Sequence, residues 1–162
     1  ATSDLHIITA RSGKIDLVKN KPAKLSIAVN VDKDAGTIEI PQSTIYISNL
    51  PFTFKGDIAE NDFQFRLKGQ NIKIEDAVNR LAMKETEDVK RFGGTGILLF
   101  DLEINGNDKA KQPVTVDCSF GIKNGSIKEP ATGIAVTNLN LEGLYSNKGG
   151  AEKEKLELKN IV

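Results

Sequence analysis

The chain has one cysteine, one histidine and no tryptophan, and each scarcity removes a class of function. With Cys118 alone, no internal disulfide can staple the fold. With His6 alone, no histidine-rich metal site can form and no catalytic thiol has a ready base. Cys118 alternates with Val116 and Phe120, so it reads as a small hydrophobe on the apolar face of a strand. Surplus charge is also lacking: 22 Lys and Arg balance 22 Asp and Glu, whereas a nucleic-acid partner calls for excess cations against phosphates. Aromatics make up 6%, with 7 Phe and 2 Tyr, too few for exposed stacking platforms. No apolar run approaches the ~20 residues that span a bilayer, and no signal peptide is visible.

Length fits a single β-rich domain over residues 1–162. The chain opens Ala1-Thr2-Ser3 without Met and stops at Ile161-Val162 inside an apparent strand, as expected of a segment excised from a longer chain.

Three short motifs fail on context. Asp32-Lys33-Asp34-Ala35-Gly36 starts like a calcium loop but lacks the further oxygen ligands and flanking helices, so it reads as a hairpin turn. Gly93-Gly94-Thr95-Gly96 leads from a helix pattern into a strand pattern, the reverse of a phosphate loop. No two carboxylates stand at a spacing that marks an acid and a base. The charged stretch Glu152 to Lys155 reads as a solvated loop or strand start. No catalytic group, metal site or cofactor is expected.

What is abundant is period-2 alternation, the mark of strands with one apolar face. It runs through Leu25, Ile27, Val29 and Val31, then Ile38 and Ile40, with Pro41 as an edge or break. It continues through Ile45 and Ile47, Leu50 to Ile58, and Phe63, Phe65 and Leu67. Leu98, Phe100, Leu102 and Ile104 lead to Asn105-Gly106, and Val114 to Ile122 lead to Asn124-Gly125, pairs favoured in tight hairpins. Ile134, Val136, Leu139 and Leu141 form another strand, and Leu156 and Leu158 lie in a last one. One segment has helical spacing, at Ile74, Ala77, Val78 and Leu81, with Val89 and Phe92 extending that face. The prediction is a mainly β, antiparallel, curled sheet or groove-like half-barrel of roughly eight to ten short strands, with one α-helix at about 75–91 ended by Gly93-Gly94.

A weak echo links residues 45–72 and 134–161, on either side of the helix. Ile45 to Leu50, Gly56 and Leu67 to Ile72 match Ile134 to Leu139, Gly143 and Leu158 to Ile161, as if one supersecondary unit were used twice.

One helix of about 26 Å (at ~1.5 Å per residue) is too short to cover so many strands. The remaining apolar face must therefore pack on another sheet, curl onto itself, or be covered from outside. The first outcomes give a closed sandwich or barrel, and the last gives an aliphatic groove suited to acyl chains.

The stretches Asp62 to Val78, Phe92 to Gly106, Phe120 to Ile127 and Ile134 to Gly143 run strand-into-helix, glycine-rich strand, Asn-Gly hairpin and Thr-Asn-Leu strand. In that order they resemble the AsmA-like proteins of Gram-negative envelopes, especially the long forms of Bacteroidetes. The resemblance covers residues 36 to 162 and is carried by glycine, asparagine and alternating aliphatics. It implies a non-catalytic segment of a periplasmic protein anchored in the inner membrane, handling phospholipid or influencing outer-membrane assembly. On that reading the lipid groove is lined by Phe52, Phe54, Phe63, Phe65, Leu98, Phe100, Leu102, Val116, Phe120, Leu139 and Leu141. The family's membrane helix is absent from this sequence. The alternative is a closed β-sandwich acting as an interaction or structural module of an envelope protein. Exposed sheet edges also raise the prospect of edge-to-edge self-association.

Overall fold

A computed structural model describes residues 2–12, 15–81, 94–107, 109, 114–147 and 154–162. Its strands are β1 (Thr2–Ser12), β2 (Ile15–Ser26), β3 (Asn30–Asp32), β4 (Thr37–Ile47), β5 (Leu50–Ala59), β6 (Asp62–Lys73), β7 (Thr95–Asn107), β8 (Thr115–Lys128), β9 (Ala135–Ser146) and β10 (Lys155–Ile161). They form one antiparallel sheet in the order β1-β2-β4-β5-β6-β7-β8-β9-β10, with the short β3 pairing only with β4. The sheet is curled and open, since β1 and β10 are its two edges and do not meet. The mainly β class with a single helix among the described residues is as the alternation predicts. No second sheet exists among those residues, so they do not close into a sandwich.

Strand pairing puts the alternating aliphatics that lie in strands on the same side. Leu25, Ile45 and Phe52 are successive cross-strand partners. So are Phe54, Leu67, Leu102, Cys118, Tyr145 and Leu156, and Leu98, Ile122, Leu141 and Ile161. The opposite face carries ladders of charge, such as Lys55, Arg66, Glu103 and Asp117. Because side chains alternate strictly, one register fixes both faces at once.

Helix α1 (Ile74–Leu81) lies on the apolar side and touches β2, β5, β6 and β7. Glu75 and Asp76 stand in its first turn and Arg80 in its last, matching the helix dipole. Arg80 also pairs with Asp76 at 3.5 Å. Ala77 joins Ala23, Ile47, Leu50, Phe52 and Ile72 in the buried core cluster, and Val78 next to it is buried too. The helical spacing is met from Ile74, one residue before the expected start. The predicted extension to residue 91, with Val89, Phe92 and Gly93, lies outside the described residues.

Several local expectations fail for identifiable reasons. The Leu25–Val31 alternation is not one strand: β2 ends at Ser26 and β3 starts at Asn30. Conversely, Ile38 to Ile47 is one strand, because a bulge between Ile40 and Ser43 absorbs Pro41 without needing its missing N–H. Neither Asn-Gly pair is a hairpin. Asn105 and Gly106 pair with Gln64 and Phe63 inside β7, while Asn124 is a left-handed bulge residue (φ 51°) inside β8. A tight turn lies instead at Ser48-Asn49, both left-handed (φ 50° and 64°), joining β4 to β5, as a two-residue hairpin of the favoured hand requires.

The bulges are collinear. Asn71 in β6, Gly96 in β7, Asn124 in β8 and Asn138 in β9 all have positive φ, and each marks a register shift between neighbouring strands. Together they crease the sheet beside α1, since each bulge bends and twists its strand. Asn140 ties two of them, accepting from the Asn124 N–H at 3.1 Å and donating to the Asn138 carbonyl at 3.0 Å. Replacing Asn124 with Val is expected to cost about 1–2 kcal/mol, because a β-branched residue resists the left-handed region, whereas Asn124→Gly should be nearly neutral. Urea unfolding of the two variants checks this.

Candidate functional site

Four of the phenylalanines share one local device. Phe65 faces Gly56, Phe63 faces Gly106, Phe100 faces Gly69 and Phe120 faces Gly143, each as a direct cross-strand partner. A Cβ built on any of these glycines would come within 2.3–2.4 Å of the opposing ring. The rings therefore occupy the space the glycines leave, covering backbone that a side chain would otherwise shield. The result is a low apolar surface rather than a field of upright rings. Phe54 stacks on Phe65 at 5.8 Å between centroids and Phe63 lies 5.5 Å from Phe65, giving an aromatic patch at the end of the sheet away from α1.

All eleven residues predicted to line a groove lie on this apolar face. They divide into two sets. Phe52 is buried beneath α1, and Leu98 and Phe100 pack against that core, with the Phe52 and Phe100 rings 5.8 Å apart. These three hold the fold together. Phe54, Phe63, Phe65, Leu102, Val116, Phe120, Leu139 and Leu141 are half-buried with no layer of described residues above them. Ile58, Ile104 and Ile122 share that face and were readable from the same alternation. Tyr145, Leu156, Leu158 and Ile161 extend it to the β10 edge.

Six strands, β5 to β10, about 4.8 Å apart and about eight residues deep at ~3.3 Å each, give roughly 600 Å² of uncovered face. That is at the upper end of the largest apolar patch a typical monomer leaves bare, where such patches are commonly functional.

The opposite face is a lattice of paired charges. Arg66 grips Asp101 with two hydrogen bonds, Nε at 2.6 Å and Nη2 at 2.5 Å, and Lys68 adds a third contact at 3.0 Å. The Arg66 hydrogen bonds hold the Asp101 carboxyl below its usual range, against a smaller opposing effect of burial, and Asp101 raises Arg66 in turn. Gln64 and Asn105 both donate to Glu103 at 3.0 Å. A shallow depression of about 360 Å³ lies here around Gly121, rimmed by Lys68, Asp101, Lys123 and Glu142. Its Asp101 is already committed to Arg66 and Lys68.

His6 contacts Asn20 at 2.5 Å on an exposed surface. Cys118 lies between Leu102 and Tyr145 on the apolar face, where burial pushes its thiol up. No group of three or more His, Cys, Asp or Glu among the described residues is placed to hold a metal ion. No helix of the described residues is long and apolar enough to cross a membrane.

Comparison with family models, curated proteins and solved structures finds no match to this chain.

Two outcomes test this division of roles. Phe100→Ala should lower stability by about 3 kcal/mol, since it opens a cavity in the core and uncovers Gly69, while Phe65→Ala should cost clearly less in the same urea titration. Asp101→Asn should cost about 1 kcal/mol at pH 7, the scale of a partly exposed ion-pair network. A depressed folded pKa contributes stability above the unfolded carboxylate pKa and loses it as pH falls through the folded value. The gap between Asp101→Asn and the parent should therefore close on acidification below the ordinary carboxylate range.

Proposed function

We propose that this chain is a non-catalytic lipid-handling segment, holding phospholipid acyl chains against the apolar face of its sheet. One observation carries the reading: a contiguous surface of phenyl and aliphatic side chains, from Phe54 and Phe65 across Leu102 and Phe120 to Leu141, has, among the described residues, only α1 above one end of it. Acyl chains suit such a surface because they demand no hydrogen bonds and gain from each methylene removed from water, about 0.8 kcal/mol. The glycine-seated rings support it further. They keep the surface low, so that a chain can lie along the strands instead of being blocked by upright side chains.

The charged face fits a protein with one side toward lipid and the other toward water. If the resemblance to AsmA-like proteins holds, such a segment would belong to the periplasm, within a parent anchored in the inner membrane, where it would hold or pass phospholipid or affect outer-membrane assembly. Nucleic acid is not a partner on this reading, since the charges balance and Arg66 and Lys68 of the polar face are engaged by Asp101.

The test is native mass spectrometry of gently purified protein, with extraction and analysis of bound lipid, followed by titration with vesicles of phosphatidylethanolamine and phosphatidylglycerol. Phospholipid should co-purify. Phe65→Asp should weaken binding about tenfold or more, the scale of one buried phenyl side chain, with the far-ultraviolet circular dichroism unchanged. Thr53→Asp, on the polar face, should bind as the parent does. A lipid-free mass with no binding to the vesicles would overturn the reading. Phe100 is unsuited to this test because it belongs to the core.

A further inference from the structure

The charged face of the sheet contains a hollow that its own ion pairs leave unfilled. Cross-strand pairing sets Lys68, Asp101, Ser119 and Leu144 in one row of that face and Leu99, Gly121 and Glu142 in the next. Gly56, Gly69, Gly106 and Gly143 each carry a phenyl ring, but Gly121 carries none. The atoms nearest to a Cβ built there are the Leu141 carbonyl oxygen at 3.0 Å and side-chain carbons of Glu142 and Leu99 at 3.8 and 4.0 Å. The missing side chain opens the depression of about 360 Å³, a volume at the small end of ligand pockets. Phe100 and Phe120, which alternate with these residues along β7 and β8, also border it.

Donors outnumber free acceptors around this hollow. Asp101 is held by Arg66 and Lys68, and Glu142 accepts from Asn160 Nδ2 at 3.3 Å. Lys123 follows Gly121 by two residues in β8 and so shares its face. It is exposed and makes no ion pair or hydrogen bond among the described residues. Lys159 reaches the rim from β10, at the bulge between Leu158 and Asn160. The carboxylate nearest to it in the strand, Glu157, is bonded to Lys155 at 3.0 Å. The Ser119 hydroxyl has no partner among the described residues either. Two ammonium groups and a hydroxyl therefore border one hollow without an acceptor to share, while Leu99 and Leu144 give it apolar walls.

We infer that this hollow binds a phosphate monoester, with the phosphate between Lys123, Lys159 and the Ser119 hydroxyl and its organic part against Leu99 and Leu144. A monoester offers three strong acceptor oxygens and a charge of about −1.5 to −2 near neutral pH, which matches several converging donors better than one carboxylate would. The inference does not depend on acyl-chain binding, because these side chains lie on the other face of the sheet from Phe65 and Leu102.

The experiment is an NMR titration of the isotope-labelled full chain with sn-glycerol 3-phosphate. Beside it runs co-sedimentation with phosphatidylcholine vesicles with and without phosphatidic acid, which carries the same monoester on a lipid. The vesicle arm uses the Phe65→Asp variant, so that binding through the apolar face does not contribute. Amides of Ser119 to Lys123 and Glu142 to Leu144 should shift saturably, less so at high salt. Lys123→Glu and Lys159→Glu should each weaken binding about tenfold, since each turns a close attraction into a repulsion. Lys55→Glu, on the same face but outside the hollow, should bind as the parent does. A response to the soluble ester identifies a free ligand, and a response to phosphatidic acid alone identifies a lipid headgroup. Either supports the site when Lys123→Glu and Lys159→Glu remove it. No response to either probe overturns the inference, as does an equal loss in Lys55→Glu or shifts that leave Gly121 and its neighbours unmoved.

Discussion

Cover is the limiting resource of this fold. The sheet lays its aliphatic residues on one side, and the only layer over that side, among the described residues, is the eight-residue α1. Where the helix sits, Ala23, Ile47, Leu50, Phe52, Ile72, Ala77 and Val78 become buried. Beyond it the same kinds of residue, in the same alternation, stay half-exposed. Burial of apolar area is the dominant favourable contribution to folding, so the stability of this chain is concentrated around the helix. The distal strands rest on backbone pairing and on the charge lattice of the other face.

The phenylalanine–glycine pairs are how the uncovered part copes. A glycine in a strand interior ordinarily weakens the sheet, yet here Gly56, Gly69, Gly106 and Gly143 each receive a ring from the neighbouring strand. Each pair buries part of a phenyl group without a second layer. At Phe100 this adds to the core, whereas at Phe63, Phe65 and Phe120 it substitutes for one. The crease of bulges at Asn71, Gly96, Asn124 and Asn138 then bends the sheet beside the helix. The stable end and the open surface are therefore two regions of one sheet, divided by local backbone geometry.

Much of this was legible in the alternation. It placed all eleven groove candidates on one face, because period 2 leaves no freedom once the strands pair. It could not separate Phe52, Leu98 and Phe100 from the rest, since the position of a helix over a sheet depends on tertiary packing and not on period. The Asn-Gly pairs misled for a related reason. Asparagine favours the left-handed region wherever the backbone needs it, and a bulge needs it as much as a turn does, so Asn124 serves a crease while Ser48-Asn49 serves the hairpin. The glycine seats were visible in principle, as Gly56, Gly69, Gly106 and Gly143 interrupt apolar alternations at positions due for a side chain. Pairing each with its phenylalanine required the register.

The central claim is that acyl chains lie on one side of the sheet, beyond the helix. The most direct measurement is methyl NMR of the isotope-labelled chain with phospholipid carrying a paramagnetic label on its acyl chain. The account predicts strong broadening at Leu102, Val116, Leu139 and Leu141, and little at Leu99 and Leu144, which pair into the opposite face. Equal broadening on both faces, or broadening confined to Leu99 and Leu144, would contradict it.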